Sequence, residues 1–558
     1  MKKINKLFLL TFVLFGIFLT KVNASDVVAK IGENGYETLD DAILAVKEDE
    51  VIELLQDTEL TKVAVIDKKV TINGNNHNVN ISVLPSDDGR LTVSSILTLN
   101  QIKVNHDNVT TASNAWSIVM LASGVINLNQ SEYYLKTHGV YAYPGASINL
   151  DHSVLSATDM SYTAFMGDKK HEYADINLSN QSLLKIDRIT SMNGTNWFSI
   201  KADNSNVSVT NCAKQGLVGG RLELLNGSEA IYDNNGIGFT LYRNDYVVVH
   251  EGAKLSITNS HENAIWQWGG KVEVKKDGNF VATGNGTAID DGNDDSYNAT
   301  INNYNSSENG MIIFEDGANV KINSNYLRGI TNNGVAYIGN TTEIMNNGLI
   351  TKEGNRIPQY GGGVFNQGTI TIAENARLYN NHATLAADDI YTNGIIRFKE
   401  VGNDWILDDC NHKINGWYDD AVDSRWNAHD LGHIYVNLVT PDIYEGELSL
   451  KAAHDNIGKV IINYVDIDGN QLTDEITLTG EVGKNYLTEK KNFDGYVFVK
   501  VVGNQEGLFD FENTYVTYYY TKYTGSGDVE VVPPKTGVGE EVTSVQVCSL
   551  NLYKKEDE

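Results

Sequence analysis

The chain has 558 residues, with 43 Lys and Arg against 72 Asp and Glu and a formal net charge of −29. A surface this acidic repels polyanions, which excludes nucleic acid and anionic lipid as partners. With 50 Gly, 29 Tyr and only 6 Pro, the composition favours sheet and turn over disorder. The three cysteines, Cys212, Cys410 and Cys548, are odd in number and far apart, which excludes a disulfide framework and a paired-cysteine metal site.

Residues 1–24 read as a secretory signal. Lys2, Lys3 and Lys6 precede an apolar run from Leu7 to Leu19, and Val22-Asn23-Ala24 is a small-residue processing site, so cleavage is expected between Ala24 and Ser25. The apolar run is short for a bilayer span, so the mature chain is expected to carry no stable transmembrane segment. It is expected outside the cell, at the surface or wall, or released. Residues 25–60 change texture: Leu39, Ala42, Ile43 and Val46 fall at helical spacing behind Thr38, a suitable N-cap with Asp41 three residues on. An amphipathic helix here would close the open end of a sheet stack.

Beyond residue 60, most of the chain is one recurring unit: a short alternating strand, a Gly turn, a second alternating strand and an Asn-rich corner. It reads Leu222-Glu-Leu-Leu-Asn-Gly-Ser-Glu-Ala-Ile-Tyr-Asp-Asn-Asn235 and, later, Ile312-Ile-Phe-Glu-Asp-Gly-Ala-Asn-Val-Lys-Ile-Asn-Ser-Asn325. Further copies begin at Val247, Val272 and Ile370, and looser ones at Ile148 and Ile176. The turn glycines return roughly every two dozen residues with occasional longer steps, the period of a solenoid. Strands of this length cannot make a core alone; each must stack on its equivalent in the next repeat. Gly permits positive φ at the corner, and Asn tolerates it while its amide reaches the Asn one coil above.

The pattern resembles the right-handed parallel β-helix of the pectin-lyase-like superfamily, in the loose-repeat form found on Gram-positive surface proteins. The handedness is implied by that resemblance alone. The expected fold is mainly β, with an N-terminal helical cap over 25–60 and a parallel β-helix over 61–440. Gly361 to Ile372 and Asn380 to Ile390 are similar to segments of bacterial surface β-helices.

Pectin-lyase-like folds also host polysaccharide lyases and glycosidases, so the acids need separate scrutiny. Asp290, Asp291, Asp294 and Asp295 are dense enough to bind Ca²⁺ or to pair as carboxylates. The Gly-His-Gly and Arg-Ile-Lys segments of the polygalacturonases are missing, and no basic residue stands out beside those acids as the lyases would want. These four are read as a solvated loop, with a structural Ca²⁺ the only cofactor suggested and no catalytic residue assigned. His152 beside Asp151, and His261 beside Glu262, read as surface polar pairs. Trp405, Trp417 and Trp426 could stack on sugar C–H faces or belong to a cap over the last coil.

The texture then becomes that of a compact module. Lys459-Val-Ile-Ile-Asn-Tyr-Val-Asp-Ile-Asp-Gly-Asn470 is an alternating strand running into an Asp-Gly turn. Next come Gly480 to Tyr486, then Gly495-Tyr496, then the closing strand Val516-Thr-Tyr-Tyr-Tyr520. On this order and spacing, 457–522 is identified as a member of the MucBP (mucin-binding-protein) family, a small β-rich, β-grasp-like domain. Membership implies host glycoproteins or mucin glycans as partners, with Tyr519 a candidate for sugar contact; such modules also serve as spacers. Residues 523–558 read as linker and a degenerate sorting signal. Pro533, Pro534, Lys535, Thr536 and Gly537 resemble a sortase substrate, which would imply transfer of Thr536 to peptidoglycan. The short apolar set between Val542 and Tyr553 departs from that family, because it cannot cross a bilayer about 30 Å thick. Three functional classes remain: an adhesin for host mucin-type glycoprotein or matrix glycans, which is the reading taken; a stalk that binds nothing, which export and the domain pairing support equally; and an extracellular polysaccharide lyase or glycosidase, against which the lack of a recognisable acid/base set counts.

Overall fold

A computed structural model describes residues 27–81, 91–107, 116–287, 299–304, 310–348, 358–373, 375–398, 405–406, 413–422, 443–454, 457–481, 484–509 and 513–523. Ala24, Ser25, Asp290, Asp291, Asp294, Asp295, Trp426 and the Pro533–Gly537 motif lie outside the described residues. The described chain is mainly β, with one short helix, Leu39–Ala45. Its larger part is a parallel solenoid of about a dozen turns, and each coil gives one strand to each of three sheets. The first described coil supplies Val51–Leu54, Thr58–Leu60 and Ala64–Ile66, which pair in parallel with Val70–Asn73, Asn78–Ile81 and Leu91–Val93 of the next. The second sheet carries this pairing through 13 strands, from Thr58–Leu60 to Arg377–Tyr379.

The alternation seen in the sequence is what fills the interior. Ile126 and Leu128 stack on Ile148 and Leu150, and these on Ile176 and Leu178, all buried. Burying such side chains stabilises the fold by roughly 1.5–3 kcal/mol each, against an ordering cost of similar total size. The repeating unit is the path from first to second sheet. Met311–Phe314 lies in the first and Asn319–Asn323 in the second, with Gly317 at φ 83° on the turn between them.

At the following corner the two Asn-type positions divide their labour. The first turns the chain at positive φ, as in Asn234, Asn259, Ser324, Asn346 and Asn380. The second points inward and bonds to its equivalents. Asn285 donates to Asn325 Oδ1 at 2.9 Å, Asn325 to Asn347 at 2.8 Å, Asn347 to Asn381 at 2.9 Å, and Asn381 to Asp389 at 2.9 Å. The inter-coil amide bonding expected of the corner is therefore present inside the stack. A second ladder lines the turn before the second sheet, where the N–H of Ser131 donates to Ser153 Oγ, Ser153 to Ser182, Ser182 to Ser205, and Ser205 to Ser228, all at 3.0–3.2 Å.

Both ends of the first sheet close with antiparallel strands. Ala29–Ile31 pairs antiparallel with Val51–Leu54, and the helix packs Leu39, Ala42 and Ile43 into the same core. Thr38 caps it, accepting from Asp41 N at 3.1 Å, as its sequence position foretold. Asp40 ties the helix to the first coil by accepting from the backbone N–H groups of Thr61 and Lys62. At the far end Ile443–Glu445 runs antiparallel to Ile395–Phe398, and Leu448–His454 to Ile390–Thr392. Unpaired edges invite strand addition, and reversing the last strands ends the parallel template.

Residues after 457 build a separate core. Ile457–Asp466 and Thr514–Lys522 pair in parallel at the centre, flanked by Ile476–Glu481 and Tyr496–Val502 as antiparallel edges. First and last strands side by side give the β-grasp-like order expected. Val460, Ile462, Tyr464, Val516, Tyr518 and Tyr520 fill its inner face.

Two outcomes test these assignments. Asn325→Ala removes the acceptor of the buried Asn285 N–H and the donor to the carbonyl of Ala282 and to Asn347 Oδ1, while the Asn285 amide keeps Ile257 O and Thr283 O, and should destabilise the solenoid by about 2–3 kcal/mol in urea unfolding. Asn234→Gly, which keeps the left-handed corner and loses only exposed contacts, should cost less than about 1 kcal/mol. In the module, Asn470 donates to the Asp466 carboxylate from both side chain and backbone and holds its pKa below the ordinary value. That contribution is complete above the unfolded carboxylate pKa of about 4 and is lost as pH falls through the lower folded value. Acid titration followed by amide exchange at Asp468–Asn470 should show the hairpin opening first, and Asp466→Asn should flatten the transition.

Candidate functional site

In the C-terminal module the tyrosines of the closing strand split by parity. Tyr518 and Tyr520 are buried, and their hydroxyls are occupied: Tyr520 donates to Lys491 O at 2.7 Å, while Tyr518 meets Thr488 Oγ1 at 2.9 Å and accepts from Gln505 Nε2 at 3.1 Å. Tyr464 donates to Glu489 O at 2.7 Å and Tyr486 to Asn504 O at 3.1 Å. These rings pin the 484–493 segment over the sheet. Gly480 belongs to the same packing, because a Cβ there would stand 2.3 Å from the Phe509 ring.

The opposite parity forms the open face. Tyr515 is 58% exposed and Val502 51%, and the register sets Ile461 beside Tyr515, Asn463 beside Thr517 and Val465 beside Tyr519. Lys500 lies opposite Tyr519 on the edge strand, with Nζ 5.0 Å from the ring centroid. Tyr519 is thus half-buried beneath a cation, and Tyr515 is the freer ring. A flat face with one exposed aromatic ring, threonine hydroxyls and one ammonium can stack on a sugar ring and donate to its hydroxyls.

The other residues singled out from sequence do not converge on one place. Trp405 lies in Trp405–Ile406 and Trp417 in Lys413–Asp419, two strands paired antiparallel with each other and, through the second, with Leu448–His454. They belong to the antiparallel closure. His152 Nδ1 sits 2.8 Å from Asp151 Oδ1, but Asn180 is the main group holding that carboxyl below its usual range, and the pair is exposed. His261 Nε2 meets Asn234 at 3.1 Å. Cys212 is buried in the core and its thiol is pushed up to about 12 by burial, so it is inert. Among the described residues no three His, Cys, Asp or Glu are set to hold a metal ion, and no helix is long and apolar enough to cross a membrane.

Sequence reasoning missed a line of rings at the corner between the third and first sheets. Val140 and Ala142 point into the core, so Tyr141 points out, with Tyr143 beyond it; Ile265 and Gln267 likewise leave Trp266 and Trp268 outside. Tyr141 and Tyr143 meet at 5.7 Å, Trp116 joins Tyr141 at 5.4 Å, and Trp266 stacks on Trp268 at 5.6 Å. Between them Trp197 stacks on Tyr242 at 5.6 Å, with His171 edge-on to both. Beside these rings Asp245 is buried, accepting from Tyr173 Oη at 2.6 Å and from Tyr242 N at 2.7 Å. Burial pushes its carboxyl up to about 6, and Arg221 lies over the Tyr173 ring at 4.1 Å. The signal was present as Tyr-x-Tyr and Trp-x-Trp at equivalent points of different coils.

Residues 459–521 match the MucBP domain family. Two curated relatives, both described as Internalin J of Listeria monocytogenes, are similar over the same end of the chain. One, from serotype 4b strain F2365, is 45% identical over 65 residues, 12% of this chain and 7% of the relative. The other, from serovar 1/2a strain EGD-e, is 39% identical over 79 residues, 14% of this chain and 9% of the relative. The chain therefore spans under a tenth of the length of either, and the likeness shows a MucBP domain in this chain and leaves the solenoid to be read from its own residues.

Proposed function

We propose that the protein is an exported bacterial surface adhesin whose MucBP module binds mucin-type glycoprotein, with the solenoid as its displayed body. The observation carrying this reading is the MucBP match over 459–521, on a module whose open face presents Tyr515, Thr517, Tyr519 and Lys500. Likeness to Internalin J over the same residues supports surface display. In this reading the Pro533–Gly537 motif is a sortase substrate that links the chain to peptidoglycan.

A second reading, polysaccharide lyase or glycosidase, has one observation in its favour. Asp245, raised to about 6 near Arg221 and His171, has the protonation range of a general acid. Its two hydrogen bonds instead describe a structural carboxylate: the one from Tyr242 N closes its own turn, with Asp245 N returning to Tyr242 O at 2.9 Å, and the one from Tyr173 Oη ties that turn to another coil. The adhesive reading is preferred because that carboxylate is already engaged by protein donors.

Fragments 25–456 and 457–522, each containing a separate core, should separate these readings on immobilised mucin and a glycan array. The smaller fragment should bind, and Tyr515→Ala with Lys500→Ala should weaken it about tenfold, or 1.4 kcal/mol. Reducing-sugar or unsaturated-uronate release by the larger fragment, abolished by Asp245→Asn, would establish the enzyme instead. Silence of both fragments in every assay would leave a stalk.

A further inference from the structure

Over seven coils the corner between the third and first sheets carries Tyr143, Asp168, Trp197, Gly219, Tyr242, Trp268 and Tyr304, the Trp197 ring lying against Gly219. The backbone fixes their alignment: Tyr143 donates to Met120 O, Asp168 to Ala142 O, Trp197 to Val218 O, Trp268 to Leu241 O and Tyr304 to Gln267 O, at 2.8–2.9 Å. Each therefore sits just past a third-sheet strand and bonds to a neighbouring coil. At about 4.8 Å per coil the line is about 30 Å long. The core does not require these rings, since their strands already bury Val140, Ile265, Leu241 and Ile301. Nor is the outside of the stack aromatic elsewhere by default. The adjacent first sheet carries Lys201 with Glu223, and Lys271 and Lys275 around Glu273, as ion pairs.

We infer that this corner is a binding track for a neutral polysaccharide lying along the solenoid axis, separate from the MucBP module. Rings stand on five of these seven coils, one or two coils apart, and since the coil pitch is close to the length of one pyranose unit in an extended chain, they can stack on sugar faces one or two units apart. Acceptors for hydroxyls stand between the rings. Asp168 takes a hydrogen bond from Tyr141 Oη and is only half-buried, so its carboxylate keeps room for further donors. His171, exposed at the edge of Trp197 and Tyr242, adds a donor or acceptor. The chain's net charge of −29 repels uronates and sulfated glycans, so the occupant is uncharged. Tyr143, 37% exposed, and half-buried Trp268 are the contact rings, and Trp197, 7% exposed, is their support.

The test is affinity electrophoresis of the full chain through gels containing hydroxyethylcellulose, galactomannan or, as the anionic control, polygalacturonate. At least one neutral polymer should retard the protein and shift its tryptophan emission, while polygalacturonate should not. Tyr143→Ala with Trp268→Ala should reduce the retardation at least tenfold without altering mucin binding by residues 457–522. Tyr143→Ala alone, whose ring touches Tyr141 near the surface, should give a partial loss at unchanged melting temperature and covers the case in which Trp268→Ala disturbs the corner. Equal migration in all neutral gels, retardation indifferent to both substitutions, or preference for polygalacturonate would overturn the inference. Failure here would leave the module's mucin binding untouched, and the converse holds.

Discussion

Everything in the solenoid depends on one constraint: each residue of a coil must suit the residue directly above and below it. In a globular core a side chain meets neighbours from many directions and can trade them. Here the parallel register fixes them, so Ile148 must lie between Ile126 and Ile176. Polar groups obey the same rule. An amide buried alone would cost about 1–3 kcal/mol, but in the series from Asn285 to Asp389 each amide is satisfied by the next coil. The ladder thus makes a buried Asn acceptable only if its neighbours are similar, which couples the coils and explains why each ladder is a block of one residue type: Asn at the corner after the second sheet in the later coils, and Ser at the turn before the second sheet in the earlier ones.

Such a stack has no intrinsic end, and its termination has to be built. The reversal of direction at Ala29–Ile31 and again at Ile443–Glu445 and Leu448–His454 does this on the first and third sheets. At the far end the ladder finishes on acids. Asp389 accepts from Asn381, Asp388 accepts from Lys451 Nζ at 2.7 Å, and Asp420 accepts from Asp388 N at 2.7 Å. Carboxylates accept without needing to donate onward, so they close a chain of amides that would otherwise leave an N–H with no coil above it.

The legible part of this fold is set by which turns are short. The passage from first to second sheet has a fixed length, a Gly or left-handed Asn or Asp, and an Asn corner, so its strands could be read from Leu222, Val247, Val272, Ile312 and Ile370. The third sheet could not be read. Its strands shrink to two residues at Thr195–Asn196, and in Ile237–Leu241 and Arg328–Asn332 every residue is buried, which erases the alternation. The path back to the first sheet varies in length, which breaks the period. The aromatic corner sits on that irregular path, and its rings were hidden for that reason, whereas the Trp405 and Trp417 cluster was conspicuous because the sequence there is locally rich in Trp.

The module shows the opposite relation between visibility and role. Its recognisable residues, Tyr464, Tyr486, Tyr518 and Tyr520, are the ones whose rings fill the core and whose hydroxyls hold the 484–493 segment. A motif read from them identifies a fold, because each hydroxyl is taken up by the protein itself, those of Tyr464, Tyr486 and Tyr520 by backbone carbonyls and that of Tyr518 by Thr488 and Gln505. It does not identify a ligand, since none of those hydroxyls is free to take one. Under the proposed adhesive function, ligand choice would reside on the other parity of the same strands, in Tyr515, Thr517 and Tyr519 with Lys500 across from them, where substitution costs the fold little. Modules sharing the buried tyrosines can therefore differ in what they bind.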